Sequence, residues 1–152
     1  MDIVVFIGLQ GAGKSTFYQT HLAATHVYVS KDLLCRSKTM NKAMKQHKRV
    51  EEALQIGRSV VIDNTNPTKE DRAQLISLGH LYNATVVGYY FDASIKECLA
   101  RNNERIGKAR VPDKVIYITA KKMTLPTYEE GFDALFRVHT QKDKLFKVID
   151  WN

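Results

Sequence analysis

The chain has 152 residues, 44% of them hydrophobic, and a formal net charge of +7 at neutral pH. That length suits one domain with a substantial core; no apolar stretch approaches the ~20 residues that span a bilayer, and no basic region precedes the first apolar run as it would in a secretory leader. Two cysteines, Cys35 and Cys98, are too few for a disulfide framework, so both are expected to be reduced in a cytoplasmic protein with no membrane partner. The excess of cations suits an acidic partner, nucleic acid or a phosphorylated metabolite, although a bound nucleotide by itself already calls for some of them.

Apolar β-branched runs alternate with helical patterns from one end to the other, with no repeat, linker or low-complexity segment. "IVVFI" at 3–7 reads as a first buried strand and runs directly into "GLQGAGKST", Gly8 to Thr16. This stretch fits the pattern G-x-x-x-x-G-K-[ST], and the spacing predicts a helix over 14–24 behind it. A strand before and a helix after are the context in which that pattern is a phosphate-binding loop and not a chance turn. The loop from Gly8 through Gly11, Ala12 and Gly13 is expected to turn its N–H groups onto phosphate oxygens, with Thr16 in the first turn of the helix. Lys14 is the mobile charge for the β- and γ-phosphates, and the Ser15 hydroxyl the protein's ligand to Mg²⁺.

"VYV" at 27–29 is a short strand ending in "SKDLLCRS". Asp32 is thereby placed at the carboxyl end of a strand, the edge where open parallel sheets bind ligands. A carboxylate there can act as base toward an alcohol; its rival role is to cap a helix over 32–37. Lys31 and Arg36 would keep it ionised and could hold an acceptor phosphate. Residues 39–56 repeat apolar positions at Met40, Met44, His47, Val50 and Leu54, a helical period that stops at Gly57. Between Lys31 and Arg58 stand eight lysines and arginines against three acids, either a solvated face or the flank of a polyanionic acceptor. Without interleaved aromatics, that flank would hold phosphates and read little sequence.

"SVVID" at 59–63 is a strand with Asp63 at its end, placed to accept from Ser15, to hold a metal-bound water, or only to begin a turn. Asn64, Thr65 and Asn66 could serve as helix-start residues, and a helix follows with Pro67 near its start and Gly79 at its end. After a strand at 84–91 and a helix over 94–103 comes "CLARNNERIGKARVPD", in which Arg101, Arg105, Lys108 and Arg110 crowd a stretch broken by Gly107 and Pro112. With the next helix, 113–122, it forms a candidate lid over about 98–122, whose arginines either face solvent or reach a transferring γ-phosphate. A strand at 134–140 closes the pattern, and 145–149 is a candidate further strand. The alternation argues for an α/β fold, a central parallel sheet flanked by helices, of the P-loop NTPase type. Hydrolysis by a switch GTPase is disfavoured, since no "NKxD" guanine-reading motif occurs.

Taken together, "GLQGAGKST", "SKD", "VVIDNTNPTKEDR", "RNNERIGKARVP" and "PTYEEGFD" resemble the 5′-polynucleotide kinase branch of the P-loop kinases over most of the chain. The loop motif is shared by many proteins; the pair "DNTNP" and "RNNERxGKxxVP" is far more specific. The resemblance implies an ATP- and Mg²⁺-dependent kinase acting on the 5′-hydroxyl of a DNA or RNA end. Lys14 resembles its phosphate-clamping lysine, Ser15 its metal-ligating serine, Asp32 its general base and Asp63 its aspartate after the third strand. Arg105 resembles the lid arginine on the β- and γ-phosphates, and Arg101 a second, structural one. One departure stands out. Phage members carry an acceptor-binding arginine three residues after the base; here that position is Cys35 and the arginine follows at Arg36, turned ~100° if the segment is helical. The runner-up is therefore a small-molecule kinase acting on a nucleoside, sugar or antibiotic hydroxyl; a nucleotide-dependent binding module is a third reading, against which the lid arginine and the candidate base both speak.

Overall fold

A computed structural model describes residues 1–141 and 145–152. Six strands, β1 (Asp2–Ile7), β2 (Val27–Val29), β3 (Val60–Ile62), β4 (Thr85–Phe91), β5 (Ala134–Thr140) and β6 (Phe146–Asp150), form one sheet in the order β2-β3-β1-β4-β5-β6. The first five run parallel, and β6 pairs antiparallel with β5. The candidate strand at 145–149 is thus an edge strand, at Phe146–Asp150.

β1 lies between β3 and β4, so chain order reverses beside it. The crevice at its carboxyl end is where such sheets take ligands, and Gly8–Thr16 occupies that position. β1 is apolar throughout because both of its faces are covered. Ile3, Val5 and Ile7 pack with Val50, Leu54, Leu75 and Ile76 on one side. Val4 and Phe6 pack with Phe17, Phe91, Cys98 and Ile116 on the other. The first side is closed by α2 (Lys42–Gln55) and α3 (Lys69–Leu81), the second by α1 (Lys14–Phe17), α4 (Ile95–Asn103) and α5 (Asp113–Lys122).

Local details differ from the sequence expectation in four places. The helix expected over 14–24 is α-helical only to Phe17 and continues as a π turn over Tyr18–Leu22, where the Ala23 N–H reaches back to the Tyr18 carbonyl. The stripe of α2 is Gln46, Val50, Ala53 and Leu54; Met44 and His47 are exposed, and Asn41 caps the helix by accepting from the Met44 N–H. Thr68, not Asn64, Thr65 or Asn66, caps α3, in a reciprocal box with Asp71. Gly79 lies inside α3: a Cβ there would stand 2.5 Å from Ile3 and 2.7 Å from Val86, so glycine allows helix and sheet to close.

Candidate active site

Lys14 is 8% exposed, and its ammonium donates to the Gly8 carbonyl at 2.9 Å and the Leu9 carbonyl at 2.8 Å. Burial pushes its pKa down to about 8, against the opposing pull of Asp63, Cys98 and Asp32. The loop can wrap that ammonium because Gly11 and Gly13 take φ of 82° and 98°, a region most side chains avoid. At Gly11 a Cβ would also meet the Cys98 carbonyl at 2.7 Å, so the loop is seated directly on α4.

Ser15 Oγ donates to Asp63 Oδ2 at 2.8 Å. Asp63 follows β3 directly and is buried, and its N–H donates to the Val29 carbonyl of β2. The same carboxylate oxygen accepts the Tyr28 hydroxyl at 2.5 Å. Burial, together with that bond to Asp63, pushes the Tyr28 pKa up to about 12. No motif marks Tyr28; only its middle place in "VYV" hints that its ring shares a sheet face with the phosphate loop.

The rest of "DNTNP" joins separate elements. Asn64 Oδ1 accepts the Lys31 N–H at 3.0 Å, and its amide donates to Gln46 Oε1 of α2. The Thr65 carbonyl accepts the Gly8 N–H at 3.1 Å. Asn66, with φ of 42°, donates to the Phe6 carbonyl at 2.8 Å. Behind it Arg72, fully buried, forks onto Glu130 at 2.8 and 3.1 Å and donates to the carbonyls of Asn66 and Thr124. "DNTNPTKEDR" and "PTYEEGFD" are therefore two halves of one buried ion pair.

Asp32 sits in a 3₁₀ turn, Lys31–Leu33, three residues beyond the end of its strand. Ser30 caps this turn, its hydroxyl accepting the Asp32 N–H at 3.3 Å. The capping role belongs to Ser30, no helix spans 32–37, and the Asp32 carboxylate is exposed. Arg36, also exposed, lines a cleft of about 410 Å³ with Lys31, Asn41, Lys42 and Ala43. Arg101 donates to the Gly11 carbonyl at 2.9 Å, while Gln10 donates to Thr119 Oγ1 of α5 at 3.0 Å. The base of the basic segment is thus bolted to the phosphate loop. Asn102 staples the segment shut by bonding both ways to the Val111 backbone. Arg105 donates to the Ala109 carbonyl at 3.3 Å and, like Asp32, is close enough for its charge to act on Lys14.

The structure joins Ser15 to Asp63 by a hydrogen bond, sets Lys14 within reach of the Asp63, Asp32 and Arg105 charges, and leaves Arg36 on the neighbouring cleft. A loop of inward-turned backbone around a buried ammonium fits a polyphosphate, and the hydroxyl–carboxylate pair fits a hard cation. Among the described residues no group of three or more His, Cys, Asp or Glu could hold a metal alone.

Residues 3–126 match the family described as "AAA domain". Over 137 residues the chain is 32% identical to the bifunctional polynucleotide phosphatase/kinase of Schizosaccharomyces pombe, covering 86% of this chain and 32% of that one. Over 150 residues it is 33% identical to an Acanthamoeba polyphaga mimivirus protein named for the same two activities, covering 94% and 34%. The chain spans about a third of the length of these curated relatives. Among solved structures, a gluconokinase from Sinorhizobium meliloti superposes with a TM-score of 0.65 at 15% identity, over 91% of this chain and 82% of its own. The sheet order, the phosphate loop and the family match agree: the chain belongs to the AAA-domain family and has the fold of the P-loop kinases.

Proposed function

We propose that this protein is an ATP-dependent kinase that moves the γ-phosphate to the 5′-hydroxyl of a DNA or RNA end. The observation that carries the reading is the exposed Asp32 carboxylate, with its N–H on Ser30 and the preceding Lys31 N–H on Asn64, within electrostatic reach of the buried Lys14 of the phosphate loop. A base next to a clamped phosphate suits transfer to an alcohol. Asp32 accepts the hydroxyl proton as the oxygen–phosphorus bond forms and the bond to the β-phosphate oxygen breaks. Lys14 leaves its two carbonyls for the β- and γ-phosphate oxygens, and Arg105 swings from Ala109 to the same charge. Ser15, backed by Asp63, would hold Mg²⁺, which when bound neutralises phosphate charge. The N–H groups of Gly11 and Gly13, with Thr16, hold the phosphates; those of Gly8 and Ala12 are taken by the Thr65 and Leu9 carbonyls, so these two residues shape the loop. Arg36 holds the first phosphate of the acceptor.

The whole chain acts as one kinase domain with residues 98–122 as its lid, in a reducing cytoplasm. Among the described residues no helix is long and apolar enough to cross a membrane. Two features favour a second reading, a small-molecule kinase: the likeness to a gluconokinase and the cysteine at position 35. Labelled γ-phosphate offered to 5′-hydroxyl oligonucleotides, nucleosides, nucleoside 3′-monophosphates and sugars separates the two. Transfer to the oligonucleotide and the 3′-monophosphate is expected. Use of sugars or free nucleosides alone would move the protein to the second reading.

A further inference from the structure

The basic cleft beside Asp32 opens onto the first turn of α2. At 100° per residue, Lys42, Lys45 and Arg49 fall within about 60° of one another on that helix. They form a row ~10 Å long at 1.5 Å per residue. Lys42 also lines the cleft with Lys31 and Arg36, so cleft and row are continuous. Among the described residues none of these five cations takes part in an ion pair. Of the two carboxylates of α2, Glu51 lies on the opposite side of the helix, with His47 at 3.6 Å; Glu52 falls on the row's own face three residues past Arg49 but makes no ion pair with it among the described residues. Like charges three and four residues apart weaken a helix. A face that only kept the protein soluble would interleave signs, whereas Lys42 and Lys45 have no acidic residue three or four positions away on this helix. A row of cations left unneutralised is what a polyanion requires.

The row is also held in register with the reaction centre. Buried Gln46 of α2 accepts from Asn64, and Asn64 accepts from the N–H of Lys31, next to Asp32. We propose that Lys42, Lys45 and Arg49 are a phosphate track for a single strand, which leaves the cleft at Arg36 and runs along α2 away from its 5′ end. Lys31, Arg36 and Lys42 set three cations around the cleft, which suits the phosphate next to a strand end. The enzyme then measures acceptor length. The inference rests on the 5′-kinase reading above.

The test compares 5′-hydroxyl acceptors of one, two, four and eight nucleotides, the first a nucleoside 3′-monophosphate, with the full chain and a Lys45→Ala/Arg49→Ala double variant. Alanine preserves the helix, and a Lys45→Arg/Arg49→Lys variant retains both charges. In the wild type KM should fall roughly tenfold or more between one and four nucleotides and then level off. In the alanine variant that gain should vanish while KM for the 3′-monophosphate and kcat hold, and the charge-retaining variant should restore it. The dependence of KM on salt should become shallower by about 0.7 per phosphate contact removed. Anisotropy of a labelled eight-nucleotide strand should show the same loss of binding. Unchanged length dependence in the alanine variant would overturn the track and leave the 5′-kinase reading standing; so would tighter binding of a blunt duplex that alone responds to the variant. Transfer to sugars only would overturn that reading, and the track with it.

Discussion

The two sides of the candidate site are built differently. On the phosphate side Lys14 and Asp63 are 8% and 6% exposed, and each is held by several fixed bonds. On the acceptor side Asp32 and Arg36 are exposed, and among the described residues the Arg105 side chain makes one hydrogen bond, at 3.3 Å inside its own segment. The first arrangement is preorganised, with its dipoles aimed before any charge arrives, which is where electrostatic stabilisation is most effective. The second is left to be ordered by what binds. A triphosphate always has the same shape, so its site can be rigid, whereas a long acceptor must enter, thread and leave. Function and stability should therefore separate on the acceptor side and be entangled on the phosphate side.

The largest expected effect tests that separation. Asp32→Asn should lower turnover by roughly 10²- to 10⁴-fold, the range for a general base, with ATP affinity and melting temperature unchanged. Single-turnover transfer and a thermal melt on the same sample check it. A fall in stability with the rate per folded molecule intact would make Asp32 a structural residue. Arg72→Ala is the opposite case. It leaves Glu130 as a buried, unpaired carboxylate and takes a donor from the Asn66 and Thr124 carbonyls. Breaking such a pair costs about 3–5 kcal/mol, measurable by urea unfolding. Activity should fall only as far as the folded fraction does.

This contrast also governs what could be read from the chain. "GLQGAGKST" is a local pattern, and its geometry follows from the glycines and the strand before it. The alternation of apolar runs yields the strands of the sheet, since parallel strands covered on both faces leave little else to write. The α2 stripe was harder, because a basic helix buries Gln46 to reach Asn64 and leaves Met44 in water. Tyr28, Asn64 and Gln10 act through partners at least 18 residues away in sequence. Their types, an aromatic in a strand and amides in loops, are compatible with many surroundings. The pairing of Arg72 with Glu130 crosses 58 residues and shows only as two motifs that occur together. The π turn after α1 carries no composition signal at all.

Lys14 should show the entanglement as a pH effect. Its pKa falls from the ordinary 10.5 to about 8 on folding, because burial opposes the charge. Between those values the unfolded chain binds more protons, so stability rises with pH. The penalty is full below pH 8 and is relieved as pH climbs toward 10.5, a difference of about 3 kcal/mol. Lys14→Met should remove this alkaline rise and abolish transfer while leaving the chain folded at neutral pH. Urea unfolding at pH 7.0 and again near pH 9.5, taken here as about one and a half units above the folded value, reads the slope in both proteins. An equal slope in the variant would mean that the ammonium is not buried in solution.

The smallest effect concerns Tyr28, where the two sides meet. Its hydroxyl and that of Ser15 donate to the same oxygen of Asp63, at 2.5 and 2.8 Å. A buried carboxylate with two donors on one oxygen has a fixed orientation; with one it can turn. Tyr28→Phe deletes a bond to a charged acceptor, worth about 1.5–3 kcal/mol, and the ring still fills its place. Stability should drop toward the lower end of that range, because Ser15 remains on the oxygen. The functional consequence should appear in metal dependence and not in the acceptor. If Asp63 aims the Ser15 hydroxyl at Mg²⁺, the variant needs more Mg²⁺ for half-maximal transfer, while acceptor KM stays where it was. Titrating Mg²⁺ at saturating ATP and acceptor gives the answer. An unchanged Mg²⁺ requirement with lowered stability would restrict Tyr28 to packing, and a raised acceptor KM would mean that its hydroxyl belongs to the open side after all.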